Sequence, residues 1–173
     1  LFERIRALEH CASVVPPTSK QGMQLLQGRW RVLFTSVTIL GAKRTKLALA
    51  PSGETSLQGV VRLGQMFQCV DPSESKASNE VEFNVMGMVE GKFVISAAYE
   101  IVSESRVAVH TEAFDLEPAK LKLMLGDNMK LLLKIFQPDG FLDITYLDET
   151  LRVGRNDKGE VFVLEKAEPL EPA

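Results

Sequence analysis

The chain has 173 residues, 45% hydrophobic and 25% charged, with a formal net charge of −3. That length suits one domain able to bury a substantial core. The net charge gives no reason to expect nucleic acid, whose phosphates are usually followed by a strongly basic surface, and no apolar run approaches the roughly 20 residues of a membrane-crossing helix.

In chain order, Leu1, Ile5, Leu8 and Ala12 recur at helical spacing and predict a short helix over residues 1–12. Leu1 stands where a start methionine would, so the chain reads as a fragment or a processed form. Pro16-Pro17 stops the helix, and a second helical piece is expected over Gln21–Leu26. Gly28 then lets the backbone turn into the stretch Arg29-Trp30-Arg31-Val32-Leu33-Phe34-Thr35-Ser36. Its alternation places Trp30, Val32 and Phe34 on one face of a strand and the charged residues mostly on the other. Trp30 is the only tryptophan, and burying it removes about 150–250 Å² from water. It is expected to anchor an all-β core.

The basic cluster Lys43-Arg44-Thr45-Lys46 and the turn-rich segment 50–57 follow, both expected to be solvated. Gln65–Val70 reads as the next strand. Val81, Phe83 and Val85 alternate with Glu80, Glu82 and Asn84, so one face is dry and one wet. Phe93, Ile95, Ala97, Tyr99 and Ile101 share a face of the next strand, and Val107, Val109 and Thr111 return after the turn at Ser103-Glu104-Ser105. Such short turns join antiparallel neighbours.

Between Glu117 and Phe136 the period changes. Pro118 suits a first helical turn, and Leu121, Met124, Leu125, Met129, Leu132 and Phe136 fall on one broad apolar face. This insertion is expected to dock on the sheet as a plug, or to act as a lid or contact element through Met124, Met129, Leu132 and Phe136. Strands return at Phe141–Leu147, Leu151–Arg155 and Val161–Leu164, with hairpin chemistry at Asn156-Asp157-Lys158-Gly159. The expected fold is therefore all-β with minor α: an antiparallel barrel of about eight or nine strands, with an N-terminal helix and a helical insertion near 118–136. The expected organisation is a helix and linker over 1–20, a barrel domain over 21–167 and a frayed tail over 168–173.

No catalytic constellation is spaced for use, and Asp143, Asp148 and Glu149 read as turn acids rather than an acid–base pair. His10, His110, Cys11 and Cys69 lack metal-ligand spacing, so no metal or cofactor is expected, and the two cysteines read as reduced thiols.

Two blocks resemble the plastid lipid-associated proteins, the plant and algal PAP/fibrillin family. The first is Leu26-Gln27-Gly28-Arg29-Trp30-Arg31-Val32-Leu33-Phe34-Thr35-Ser36. The second is Leu142-Asp143-Ile144-Thr145-Tyr146-Leu147-Asp148-Glu149-Thr150-Leu151-Arg152-Val153-Gly154-Arg155, followed by Gly159-Glu160-Val161-Phe162-Val163-Leu164. Glycine-x-tryptophan alone is a weak signal; paired with the second block it is specific.

The resemblance implies a lipocalin-like barrel, a plastid location at plastoglobules, thylakoids or stroma, and handling of carotenoids, quinones and other prenyl-lipids. With no catalytic constellation in the sequence, the expected function is non-catalytic binding of a prenyl-lipid, quinone, carotenoid or fatty acid. It also implies that an arginine from a late strand packs near Trp30 and closes the barrel, Arg152 first and Arg155 second. On that view Trp30, Phe34, Phe83, Val85, Phe93, Ile95, Tyr99 and Tyr146 line a ligand cavity; the competing expectation is a filled core. Partners implied are an apolar molecule or a lipid surface, with no nucleic acid. The rival function is a non-catalytic scaffold for a plastid lipid-biosynthetic enzyme.

Overall fold

Alternation that begins at Trp30 carries through seven further strands and returns to pair with its own start. The computed structural model describes residues 1–11, 13, 15–36, 61–85, 89–119, 122 and 138–167. Two short helices come first, α1 (Phe2–His10) and α2 (Lys20–Leu26). Eight described strands follow: β1 (Gly28–Thr35), β2 (Val61–Asp71), β3 (Lys76–Val85), β4 (Val89–Ile101), β5 (Arg106–Glu117), β6 (Gly140–Leu147), β7 (Leu151–Asn156) and β8 (Val161–Lys166). Each pairs antiparallel with the next, and β8 pairs with β1, so the sheet is a closed barrel. Closure leaves no unpaired sheet edge. The expected helix at 118–136 with Met124, Met129, Leu132 and Phe136, the cluster Lys43–Lys46, the segment 50–57 and the tail 168–173 lie outside the described residues, apart from Pro118, Ala119 and Lys122.

The linker into the barrel is fixed by local chemistry. The Ser19 hydroxyl caps α2 by accepting from the Gly22 backbone N–H at 3.1 Å. A Cβ at Gly22 would stand 2.3 Å from the Pro16 carbonyl oxygen and 2.4 Å from that of Pro17, so the helix lies against the proline turn only because residue 22 has no side chain. Gly28 enters β1 at φ +110°, a conformation open chiefly to glycine.

Two β-bulges correct the expected alternation. Residues directly opposite one another in a ladder point to the same side. Against β8, Val32 pairs with Leu164 but Phe34 pairs with Val163, which leaves Leu33 as the extra residue. Against β7, Ile144 pairs with Gly154 but Tyr146 pairs with Val153, and Thr145 is extra. Each bulge shifts the side-chain phase by one. Trp30, Val32, Ile144 and Leu147 thus face the barrel interior, whereas Phe34 and Tyr146 face outward.

The outward group forms a second, smaller core beneath α1. Ile5 is buried against Val153 and Val161, with Phe34, Tyr146 and Val163 packed around them. Phe2 meets Phe34 edge-on with ring centroids 5.7 Å apart. Arg155 clamps Glu9 through two hydrogen bonds, Nε to Oε1 at 2.7 Å and Nη2 to Oε2 at 2.8 Å. The N-terminal helix is thereby fastened to the outside of β7.

Candidate functional site

The interior is assembled around Trp30, which is fully buried. Its indole Nε1 donates to the Leu26 carbonyl at 2.8 Å, satisfying one of the carbonyls that the end of α2 leaves open. Lys166, paired opposite Trp30 on β8, donates its ammonium to the carbonyls of Leu25 (2.6 Å) and Gln27. A cation at a helix C-terminus is favourable. Indole and ammonium together hold α2 across one end of the barrel.

Arg152 of β7 enters the same region. Its guanidinium lies 5.2 Å from the Trp30 ring centroid and the Lys166 ammonium 4.5 Å from it, both within cation–π range. Arg152 is 3% exposed and donates to the Gln68 side-chain oxygen. No carboxylate among the described residues pairs with it. Burial lowers its pKa to about 10, so the guanidinium is charged at neutral pH. Burial, and then the charge of Arg152, lowers the pKa of Lys166 as well.

Beside these groups is a cavity of about 60 Å³. Val70, Ala97, Val107, Val109, Leu142 and Ile144 make its apolar wall, and Met23 and Leu26 close it on the α2 side. Gln68, Ser78, Asn79, Tyr99 and Arg152 are the polar residues of its lining. Tyr99 is 7% exposed, and its hydroxyl has no hydrogen-bond partner among the described residues. Burial is the main cause of its raised pKa, so the phenol is neutral and available as a donor.

The residues singled out from sequence divide by face. Tyr99 and Arg152 line the cavity, and Trp30 packs behind it in the same core cluster. Phe83, Phe93 and Ile95 are buried but do not line it. Phe34 and Tyr146 sit on the outer face under α1, the Tyr146 hydroxyl donating to Asp148 at 2.7 Å. Arg155 is also outside, on Glu9, so of the two arginines Arg152 is the one that stands over Trp30. Val85 is a strand residue of β3 opposite Val89. Sequence reasoning passed over Gln68, Val107, Val109 and Ile144 as lining residues. The alternation of Val107 and Val109 was an available signal; for Gln68 there was none, because a polar residue in a strand is normally assigned to the wet face. No His, Cys, Asp or Glu cluster among the described residues could hold a metal ion. No described helix is long and apolar enough to cross a membrane.

The fold is a closed eight-stranded antiparallel barrel with a helix across one end and a mostly apolar interior cavity, a size at which side chains fill the interior or leave room for one small ligand. The chain belongs to the PAP_fibrillin family, whose model matches residues 2–165. It is 28% identical over 155 residues to plastid-lipid-associated protein 6, chloroplastic, of Arabidopsis thaliana, covering 80% of this chain and 52% of that protein. It is 29% identical over 176 residues to the probable plastid-lipid-associated protein 12, chloroplastic, of the same plant, covering 94% of this chain and 37% of that protein. The chain thus spans about a third to a half of the length of these curated relatives. Their names place them in the chloroplast and so support a plastid location for this chain.

Proposed function

We propose that this chain is a non-catalytic plastid lipid-associated protein that receives part of an apolar small molecule in its barrel interior. Family membership supports the lipid-associated role, and the interior cavity is the observation that carries the binding step. Its apolar wall can shield hydrocarbon from water, which contributes about 25 cal/mol per Å² buried. At about 60 Å³ it is smaller than the roughly 150 Å³ cavity that holds a benzene ring. One end of a prenyl-lipid, quinone, carotenoid or fatty acid can therefore enter, with the remainder of the molecule outside the cavity.

Native mass spectrometry of the purified chain, with organic extraction of any adduct, tests this reading. A stoichiometric apolar adduct is expected in the parent chain and lost when Val109→Phe fills the cavity, with circular dichroism confirming that the variant is folded. A folded parent chain that remains ligand-free after incubation with quinones, carotenoids and fatty acids would overturn it. Function would then rest on a protein partner in lipid biosynthesis, and co-elution with such an enzyme is the corresponding measurement.

A further inference from the structure

We infer that the cavity selects an amphiphile with a single carboxylate, held by Arg152 and Tyr99 as donors. This assignment rests on the apolar-ligand reading above and narrows it to a class of head group. The first ground is Arg152. Its side chain is buried, it lines the cavity, and its hydrogen-bond acceptor there is the neutral amide oxygen of Gln68. Buried charges are ordinarily paired, and no carboxylate among the described residues supplies the pair. The chain as a whole is negative, yet its barrel interior presents a guanidinium without a described counter-ion.

The second ground is independent of charge. Tyr99 lines the same cavity, and its buried hydroxyl lacks a hydrogen-bond partner among the described residues. Buried polar atoms left unpaired are exceptions that call for an explanation. A carboxylate accepts up to about four hydrogen bonds, and an arginine fork with a phenol suits it.

The charge of the lining sets the number of negative charges. Lys166 is not among the lining residues and its ammonium is turned to the Leu25 and Gln27 carbonyls, so among the described residues Arg152 is the one cation that lines the cavity. A monoanion neutralises it, whereas a diphosphate head would bring more negative charge than the site can compensate. A pure hydrocarbon, for its part, would leave both Arg152 and Tyr99 unanswered. The cavity volume fits the head and first carbons of such a molecule, head inward.

The only tryptophan lies against Arg152, so its fluorescence reports binding. Octanoate and methyl octanoate, titrated at pH 8 and equal ionic strength, differ at the head group while sharing the acyl chain. Octanoate is expected to bind at least about tenfold more tightly, the advantage of a charge-assisted contact. Tyr99→Phe is expected to weaken octanoate severalfold and leave the ester unchanged, and Arg152→Met to abolish the preference. If Arg152→Met does not fold, Tyr99→Phe still decides, since it removes only an unpartnered hydroxyl. Equal affinity for acid and ester, or octanoate binding unaffected by Tyr99→Phe, overturns the head-group assignment while leaving the apolar-ligand reading in place. Binding of neither compound also overturns the head-group assignment, and the apolar-ligand reading falls with it only if quinones and carotenoids leave the chain ligand-free as well.

Discussion

The indole nitrogen of Trp30 and the carbonyl oxygen of Leu26 are joined by a 2.8 Å hydrogen bond inside the barrel, so the strand that begins the sheet also holds the helix that covers it. Trp30→Phe keeps an aromatic ring on the inner face but removes the donor. The Leu26 carbonyl would then be buried without this partner, which costs about 1–3 kcal/mol, and the smaller ring adds to the loss. The urea midpoint should fall accordingly. An unchanged midpoint would mean that Lys166 alone secures α2.

Gly22 offers a case where local and tertiary preferences oppose each other. Helix propensity alone predicts that Gly22→Ala gains about 1 kcal/mol. The new Cβ, however, would lie 2.3 Å from the Pro16 carbonyl oxygen and 2.6 Å from the Pro17 carbonyl carbon, both rigid backbone. Overpacking of that kind costs about 1–3 kcal/mol. Thermal denaturation should show a lower midpoint for Gly22→Ala, the sign opposite to the propensity prediction.

The architecture was legible because its signals are local. Alternation in Val81-Glu82-Phe83 and from Phe93 to Tyr99, short polar turns and the Asn156–Gly159 hairpin each act over a few residues, and consecutive pairing follows from short connections. The two helices were legible by spacing and by the Pro16-Pro17 stop. The partition of aromatic residues between interior and exterior was not. Phe34 and Tyr146 occupy positions that simple alternation assigns to the interior, and a single bulged residue in each strand reverses them. Nothing in Leu33 or Thr145 by itself announces a bulge. Arg152 was found through family resemblance; spacing alone gives no reason to send a guanidinium inward. Gln68 escaped because its role depends on the arginine opposite it in space.

The clamp between Glu9 and Arg155 gives the stability a pH dependence with a definite sign. The Arg155 hydrogen bonds are the largest influence on Glu9 and hold its pKa below the ordinary carboxylate value, with Thr145 adding to the effect against an opposing desolvation. A depressed folded-state pKa contributes stability above the unfolded pKa of about 4.3, which is lost as pH falls through the folded value. Glu9→Gln should therefore lower stability by about 1–2 kcal/mol at pH 7, the range for a charge-assisted bond that is partly exposed. At pH 3 the difference between variant and parent should shrink. Paired urea titrations at the two values measure it, and a constant difference would show that shape rather than charge joins α1 to the barrel.

Leu33 separates the value of a side chain from the value of its place in the chain. Its side chain is 50% exposed, so Leu33→Ala should change stability by no more than about 0.5 kcal/mol. Deleting residue 33 is a different perturbation. It makes Phe34 follow Val32 directly, so that Val32-Phe34 matches Leu164-Val163 one for one in a regular ladder. Strict alternation then keeps Trp30 and Val32 inward and Phe34 outward, against Phe2 and Ile5. What the deletion removes is the bend and added twist of the bulge, not the assignment of side chains to faces. The deletion variant is therefore expected to retain near-ultraviolet circular dichroism and cooperative unfolding, with a midpoint below that of Leu33→Ala. A deletion variant that loses both would mean that the bend at Leu33 is what lets β1 curve to meet β8, and that the bulge is a requirement of closure rather than of side-chain placement.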